Sequence, residues 1–223
     1  MTPGFASEPK PRRPPPRGPH AGLLSDPAEL AARHALLRTA AHTAPIRDLA
    51  ARLRAATGRP VPEPDPLDGG VEARLLLLLE TPGPRVREDA IVSRDKPGGT
   101  GANLRRFLGA ARIARRDTLI WNAVPWIIHA PGALNRAPRV AELRAGLEWL
   151  PPLLDVLPRL RVAVLAGRFA AAAEPVLRAA RPRLPVLAMP HPSPTYVCTS
   201  PTVGERIAAA LAEAATLLAE RPA

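Results

Sequence analysis

The sequence predicts a three-layer α/β/α sandwich with a mainly parallel four-stranded sheet, preceded by N-terminal helices. Three observations carry this. Apolar runs of four or five residues recur after Val71, as expected of strands covered on both faces. Stretches with helical periodicity separate them, so that each strand returns by a crossover and lies parallel to its neighbour. The length, 223 residues, suits one sizeable core.

Residues 1–24 hold seven prolines together with Lys10, Arg12, Arg13 and Arg17. They read as a disordered, basic, Pro-rich arm. A phosphate-touching arm and a solvated tail fit this stretch equally well. Residues 25–223 form a single domain, with a helical preface and linker over 25–70 and a core over 71–220. Asp26-Pro27-Ala28-Glu29 opens a helix, with Asp as N-cap, Pro at the first position and Glu at the third. Helical patterns run to about Leu37 and from about Ile46 to Ala56, and Gly58–Gly70 is a Pro/Gly-rich connector. Leu75–Leu79 is the first core strand. Leu104, Phe107, Leu108 and Ala111 share a helical face. Thr118–Trp121 is the second strand, followed by a helical stripe of Val140, Leu143, Leu147, Leu150 and Leu154. Val162–Leu165 is the third strand, 169–180 a helix, and Val186–Met189 a buried fourth strand. Ser200-Pro201 opens the last helix, with Val203, Ile207, Leu211 and Leu218 facing inward.

Composition narrows the function. Lys and Arg total 31 against 20 acidic residues, a formal charge of +11 and a pI near 11.4. A polyanionic partner fits, nucleic acid ahead of a membrane surface, although compositional bias also enriches Arg, Ala and Pro. Aromatics are 3% of residues, too few for broad single-strand stacking platforms. Cys198 is the single cysteine, which excludes an internal disulfide framework and a four-cysteine iron–sulfur site. No apolar run is long enough to span a bilayer, and residues 1–24 lack the apolar stretch of a signal peptide. The expectation is a cytoplasmic monomer without a cofactor.

In an open parallel sheet, ligands bind beyond the carboxyl ends of the strands. The chemistry-bearing residues occupy those positions. Glu80-Thr81-Pro82-Gly83 follows the first strand, Asn122-Ala123-Val124-Pro125-Trp126 the second, and His191-Pro192-Ser193-Pro194 the fourth. Prolines 190, 192 and 194 stiffen the last of these loops. Glu80, Thr81, Asn122 and His191 should therefore converge. Other chemistries fit less well. No G-x-S-x-G elbow accompanies Ser193. His129, His191 and Cys198 lack zinc-ligand spacing, so no metal is expected. Neither a Walker motif nor a dinucleotide fingerprint is present. Trp121 and Trp126 read as core.

The three segments resemble the motifs of the uracil-DNA glycosylase superfamily, over roughly residues 71–220. HPSP is the second motif as it stands. ETPG is similar to the GEAPG form of the first motif, and NAVPW resembles the strand carrying the uracil-reading Asn. The resemblance implies a monofunctional glycosylase that removes uracil or a related damaged base from uracil-containing or mismatched DNA. It implies that His191 donates to the base O2 and that Asn122 reads O4 and N3–H. Pro82-Gly83 would bring backbone N–H groups to the base, Ser193 would bind a flanking phosphate, and Thr195 and Tyr196 would form the wedge. Departures from the family pattern are Leu79 for a Gly and Thr81 for a water-activating Asp. The usual stacking Phe is missing, with Lys96-Pro97-Gly98-Gly99 in its place, and the cluster cysteines are absent. Glu80 is the nearest carboxylate for the water, with Thr81 orienting it; Glu88 and Asp89 are acidic alternatives. The rivals are a non-catalytic DNA- or lesion-binding module on the same fold and a small-molecule N-glycosidase.

Overall fold

The computed structural model describes residues 23–84, 86 and 90–220. The arm's basic residues, and Glu88 and Asp89, lie outside that set. Two helices come first, α1 (Pro27–Thr39) and α2 (Ala44–Thr57). The expected N-cap forms: Asp26 Oδ1 accepts from the Ala28 amide at 3.0 Å. Leu24, at the end of the segment read as the arm, is buried and packs with Leu37 and Ile91.

The central sheet contains β2 (Leu75–Leu79), β4 (Thr118–Asn122), β5 (Val162–Ala166) and β6 (Val186–Met189). Its order is β4-β2-β5-β6, and each neighbouring pair is parallel. The alternation of a strand with two covered faces is explicit in β2. Leu76 and Leu78 enter one apolar cluster, with residues of α2 and of α5 (Leu150–Asp155). Leu75, Leu77 and Leu79 enter the other, with Leu104, Phe107 and Leu108 of α3 (Gly99–Ala110) and Ile207, Leu211 and Leu218 of α9 (Pro201–Ala219). Burial of each such leucine contributes roughly 1.5–3 kcal/mol. A run of five leucines leaves neither face for water, so the layers on both sides follow from it.

Several expectations are corrected. The fourth strand is not uniformly buried: Ala188 is exposed and Val186 and Leu187 only half-buried. It is an edge strand, with β5 on one side only. The stripe from Val140 to Leu154 is two helices, α4 (Val140–Leu147) and α5. Pro151 and Pro152 lack the amide hydrogens needed to continue α4, and Val140 is 77% exposed. The helix expected over 169–180 is likewise α6 (Arg168–Ala171) and α7 (Glu174–Ala180), which restarts with Pro175 in its first turn. Ser193-Pro194 is not all loop: Pro194–Val197 makes a one-turn helix, α8.

The connector Gly58–Gly70 also carries structure. Glu63–Pro64 (β1) pairs in parallel with Ile91–Val92 (β3). Behind this pair lies a buried ionic network. Arg33 Nη1 donates to the two oxygens of Asp65 at 2.7 and 2.6 Å, and its Nη2 donates to Glu29 at 2.6 Å and Asp95 at 3.3 Å. Arg115 Nη2 donates to Asp65 at 2.5 Å, its Nη1 donates to Asp95, and its Nε lies 2.9 Å from Asp68 Oδ1. Opposite charges and shared hydrogen bonds offset the desolvation that burial imposes. The network fastens α1 and the connector to Ser93-Arg94-Asp95. The next residues, Lys96–Gly101, line a cleft.

Candidate active site

A cavity of about 570 Å³ opens at the carboxyl ends of the strands. Glu80, Thr81, Pro82, Gly83, Asn122, His191, Ser193, Thr195 and Tyr196 all line it. The sequence therefore identified residues that share one cleft, although they span more than 110 positions of chain.

Hydrogen bonds tie the four strand ends together. The Ala123 and Val124 amides donate to Leu79 O at 2.8 Å and to Glu80 O at 3.0 Å, locking the end of β4 to the end of β2. The Phe169 amide donates to Glu80 Oε1 at 3.1 Å, which ties β2 to the segment after β5. The Gly167 amide donates to Met189 O at 2.9 Å, tying β5 to β6. The strand ends are thus held by backbone–backbone bonds at β2–β4 and β5–β6 and by an amide–carboxylate bond between β2 and the segment after β5. Such preorganisation is what electrostatic catalysis requires.

His191 is half-buried. Its Nδ1 accepts from the Ser193 amide at 3.2 Å. A backbone N–H can only donate, so the proton of the neutral ring sits on Nε2. Burial lowers the His191 pKa to about 4. The group is then a neutral imidazole at neutral pH, with an Nε2–H to donate. Its loop is braced from α3. Asn103 Nδ2 donates to Pro192 O at 2.9 Å, and Gly99 packs so closely that a Cβ would stand 1.9 Å from Pro194 Cγ. The Tyr196 ring lies 6.3 Å from the His191 ring, centroid to centroid, and tilted.

Asn122 ends β4 and is 3% exposed. Trp121 and Trp126 are buried, as expected of core residues. Glu80 and Thr81 are half-buried. Burial raises the Glu80 pKa, opposed by the Phe169 amide and the charge of Arg168. Gly83 faces open space: a Cβ there would meet nothing within 4 Å. Lys96, Arg136 and Arg168 bring positive charge to the lining. Arg136 is anchored, its Nη2 donating to Glu142 at 2.7 Å and to Ile128 O at 2.9 Å. Among the described residues, no group of three or more His, Cys, Asp or Glu side chains is arranged to hold a metal ion.

Sequence reasoning missed Gly167-Arg168-Phe169, which follow β5. The rule that singled out the other strand ends applies equally to the third, and Gly167 after an apolar run was its visible signal. The contribution of Asn135–Pro138 had no such signal, because these residues lie well past the end of β4.

The family model described as uracil DNA glycosylase superfamily matches residues 66–214. The chain belongs to the uracil-DNA glycosylase superfamily. The match covers more than half the chain and includes every strand of the central sheet and all nine of the residues singled out from sequence. It begins inside the connector, just before Asp68. No curated protein matched the chain. Superfamily membership supports a DNA glycosylase-like hydrolase that acts on DNA. Among the described residues, no helix is long and apolar enough to cross a membrane.

Proposed function

We propose that the protein is a monofunctional DNA glycosylase that hydrolyses the N-glycosidic bond of uracil, or of a related damaged base, in DNA. The observation that carries this reading is the convergence of Asn122, Glu80, Thr81 and His191 on one cleft at the sheet's carboxyl edge. Cleavage leaves negative charge on the departing base, mainly on O2, and positive charge on the sugar. A neutral His191 with its proton on Nε2 is suited to donate to O2 as that charge develops. Asn122 offers an amide donor and acceptor side by side, matching O4 and N3–H of an extruded uracil. Ser193 is suited to a phosphate oxygen, and Thr195 and Tyr196, exposed on α8, to the gap left by the flipped nucleotide. Glu80, with a raised pKa, serves as the base for water, and Thr81 orients that water. Water attacks C1′, the C1′–N1 bond breaks with its electron pair leaving on the base, and Glu80 receives the water proton. The products are the free base and an abasic site.

Gly83 extends the reading to substrate range. Nothing stands where a side chain there would lie, so a C5 substituent on the base has room. A methyl group in such a site gives little discrimination, and the cost of unpairing becomes the main filter. Uracil opposite guanine should be removed faster than uracil opposite adenine, with measurable activity on 5-methyl substrates. Gly83→Tyr should suppress the 5-methyl substrates more than plain uracil.

The test is incubation with uracil-containing duplexes followed by alkaline cleavage. Strand scission only after alkali supports the monofunctional reading. Stable binding without any base release would favour the non-catalytic module. Strict rejection of every C5-substituted base by the wild type would sink the open-pocket prediction alone.

A further inference from the structure

The strand order has a consequence for where the base lies. Asn122 ends β4 and His191 follows β6, the two outer strands of the sheet. Their backbones stand three strand spacings apart, about 14 Å. A base touched by both must lie across the ends of the two inner strands, β2 and β5. The end of β2 supplies Glu80 and Thr81. The end of β5 supplies Gly167, Arg168 and Phe169.

We propose that Phe169 is the ring against which the extruded base stacks. It is the only phenylalanine among the described residues that line the cavity. The other described phenylalanine, Phe107, is buried in the core. The Phe169 backbone is pinned by the bond from its amide to Glu80 Oε1. Two residues earlier, Gly167 has φ +97°. A Cβ on Gly167 would come within 2.5 Å of Glu80 Oε1 and 3.0 Å of His191 Cβ. The turn is therefore seated against both candidate reacting groups. The Arg168 guanidinium lies over the Phe169 ring, 4.8 Å from its centroid, so a stacked base would take the opposite face. A guanidinium on one face and a nucleobase on the other is a favourable stack.

The inference rests on the reading of the cleft as a base pocket, and a binding experiment separates the two. One duplex carries a single uridine with an arabino 2′-fluorine, which resists glycosidic cleavage. A second carries a tetrahydrofuran abasic analogue at the same position. The wild type should bind the uridine duplex at least about tenfold more tightly than the abasic one, the scale of a single base–aromatic stack. Phe169→Ala and Phe169→Leu should lose most of that ratio with abasic affinity unchanged, and Phe169→Trp should keep it. Leu retains apolar volume without a π face, so it separates stacking from packing. Equal weakening on both duplexes, an unchanged ratio in Phe169→Leu, or no ratio in the wild type would overturn the proposal. A wild type that discriminates the base yet releases none would reject the glycosylase reading and leave the stacking assignment in place. An active wild type with an unchanged Phe169→Leu ratio would do the reverse.

Discussion

At the scale of single residues, His191 shows how a short loop sets a chemical state. Ser193 lies two positions on, and its amide occupies Nδ1, which commits the neutral ring to Nε2–H. With the ring neutral down to about pH 4, His191 itself imposes no loss of activity between neutrality and pH 5. His191→Ala and Asn122→Ala should each slow single-turnover excision by about 100-fold, the scale of a lost preorganised donor, with DNA affinity little changed. Near-wild-type rates in folded variants would remove those roles. The same pKa links to stability. The unfolded chain binds this proton near 6.5 and the folded chain near 4, so between those values the unfolded state holds more protons. The His191 contribution is full above pH 6.5 and is lost as pH falls toward 4. Urea denaturation at stepped pH should give a shallower acid slope in His191→Ala.

Glu80 carries the complementary dependence. A carboxylate must be ionised to take a proton from water, and burial raises the Glu80 pKa. Excision should fall as pH drops through that raised value, and Glu80→Gln should remove the acid limb along with most of the rate. Thr81→Ala should be the milder change. A pH–rate profile of the three proteins decides the matter: an acid limb that survives in Glu80→Gln belongs to another group.

At the scale of elements, the loops are placed by close backbone approach. Gly99 opens α3 directly against Pro194. Its φ lies outside the left-handed region, so Gly99→Ala introduces a steric conflict without backbone strain. Relief requires the His191 loop to move by an ångström or more, and a displacement of that size can cost about 100-fold in rate. We expect Gly99→Ala to lose at least tenfold in excision with a small change in melting temperature. An unchanged rate would mean that the loop finds its position without α3.

At the scale of the whole molecule, α1 is fastened to the rest of the domain through buried charge. Arg33 is 2% exposed and faces Asp65 and Asp95, which are 1% and 2% exposed. Arg33→Met removes the cation and leaves buried carboxylates short of a partner, a change that costs about 3–5 kcal/mol. Equilibrium unfolding in denaturant should show a loss on that scale. Because Asp95 adjoins the cleft-lining Lys96, excision should weaken even where the variant remains folded. A loss below about 1 kcal/mol would show that the network contributes little net stability.

The sequence alone determined the layered α/β architecture and the residues at three strand ends. Period-2 and period-3.6 patterns record which faces avoid water, and Leu75–Leu79 admits only a strand buried on both sides. Motifs such as HPSP are contiguous, so Glu80, Asn122 and His191 are legible one loop at a time. The tertiary structure decided what depends on strand order and on contacts across the sheet. β5 sits between β2 and β6, a fact that no local pattern encodes, and this brings Arg168 and Phe169 to the lining of the cleft. The breaks near Pro151 and Pro175 were written in the sequence but outweighed by the apolar stripes around them. The pairing of Arg33 with Asp65 and Asp95 had no sequence signal, because a charged side chain reads as solvated until the fold supplies its partner.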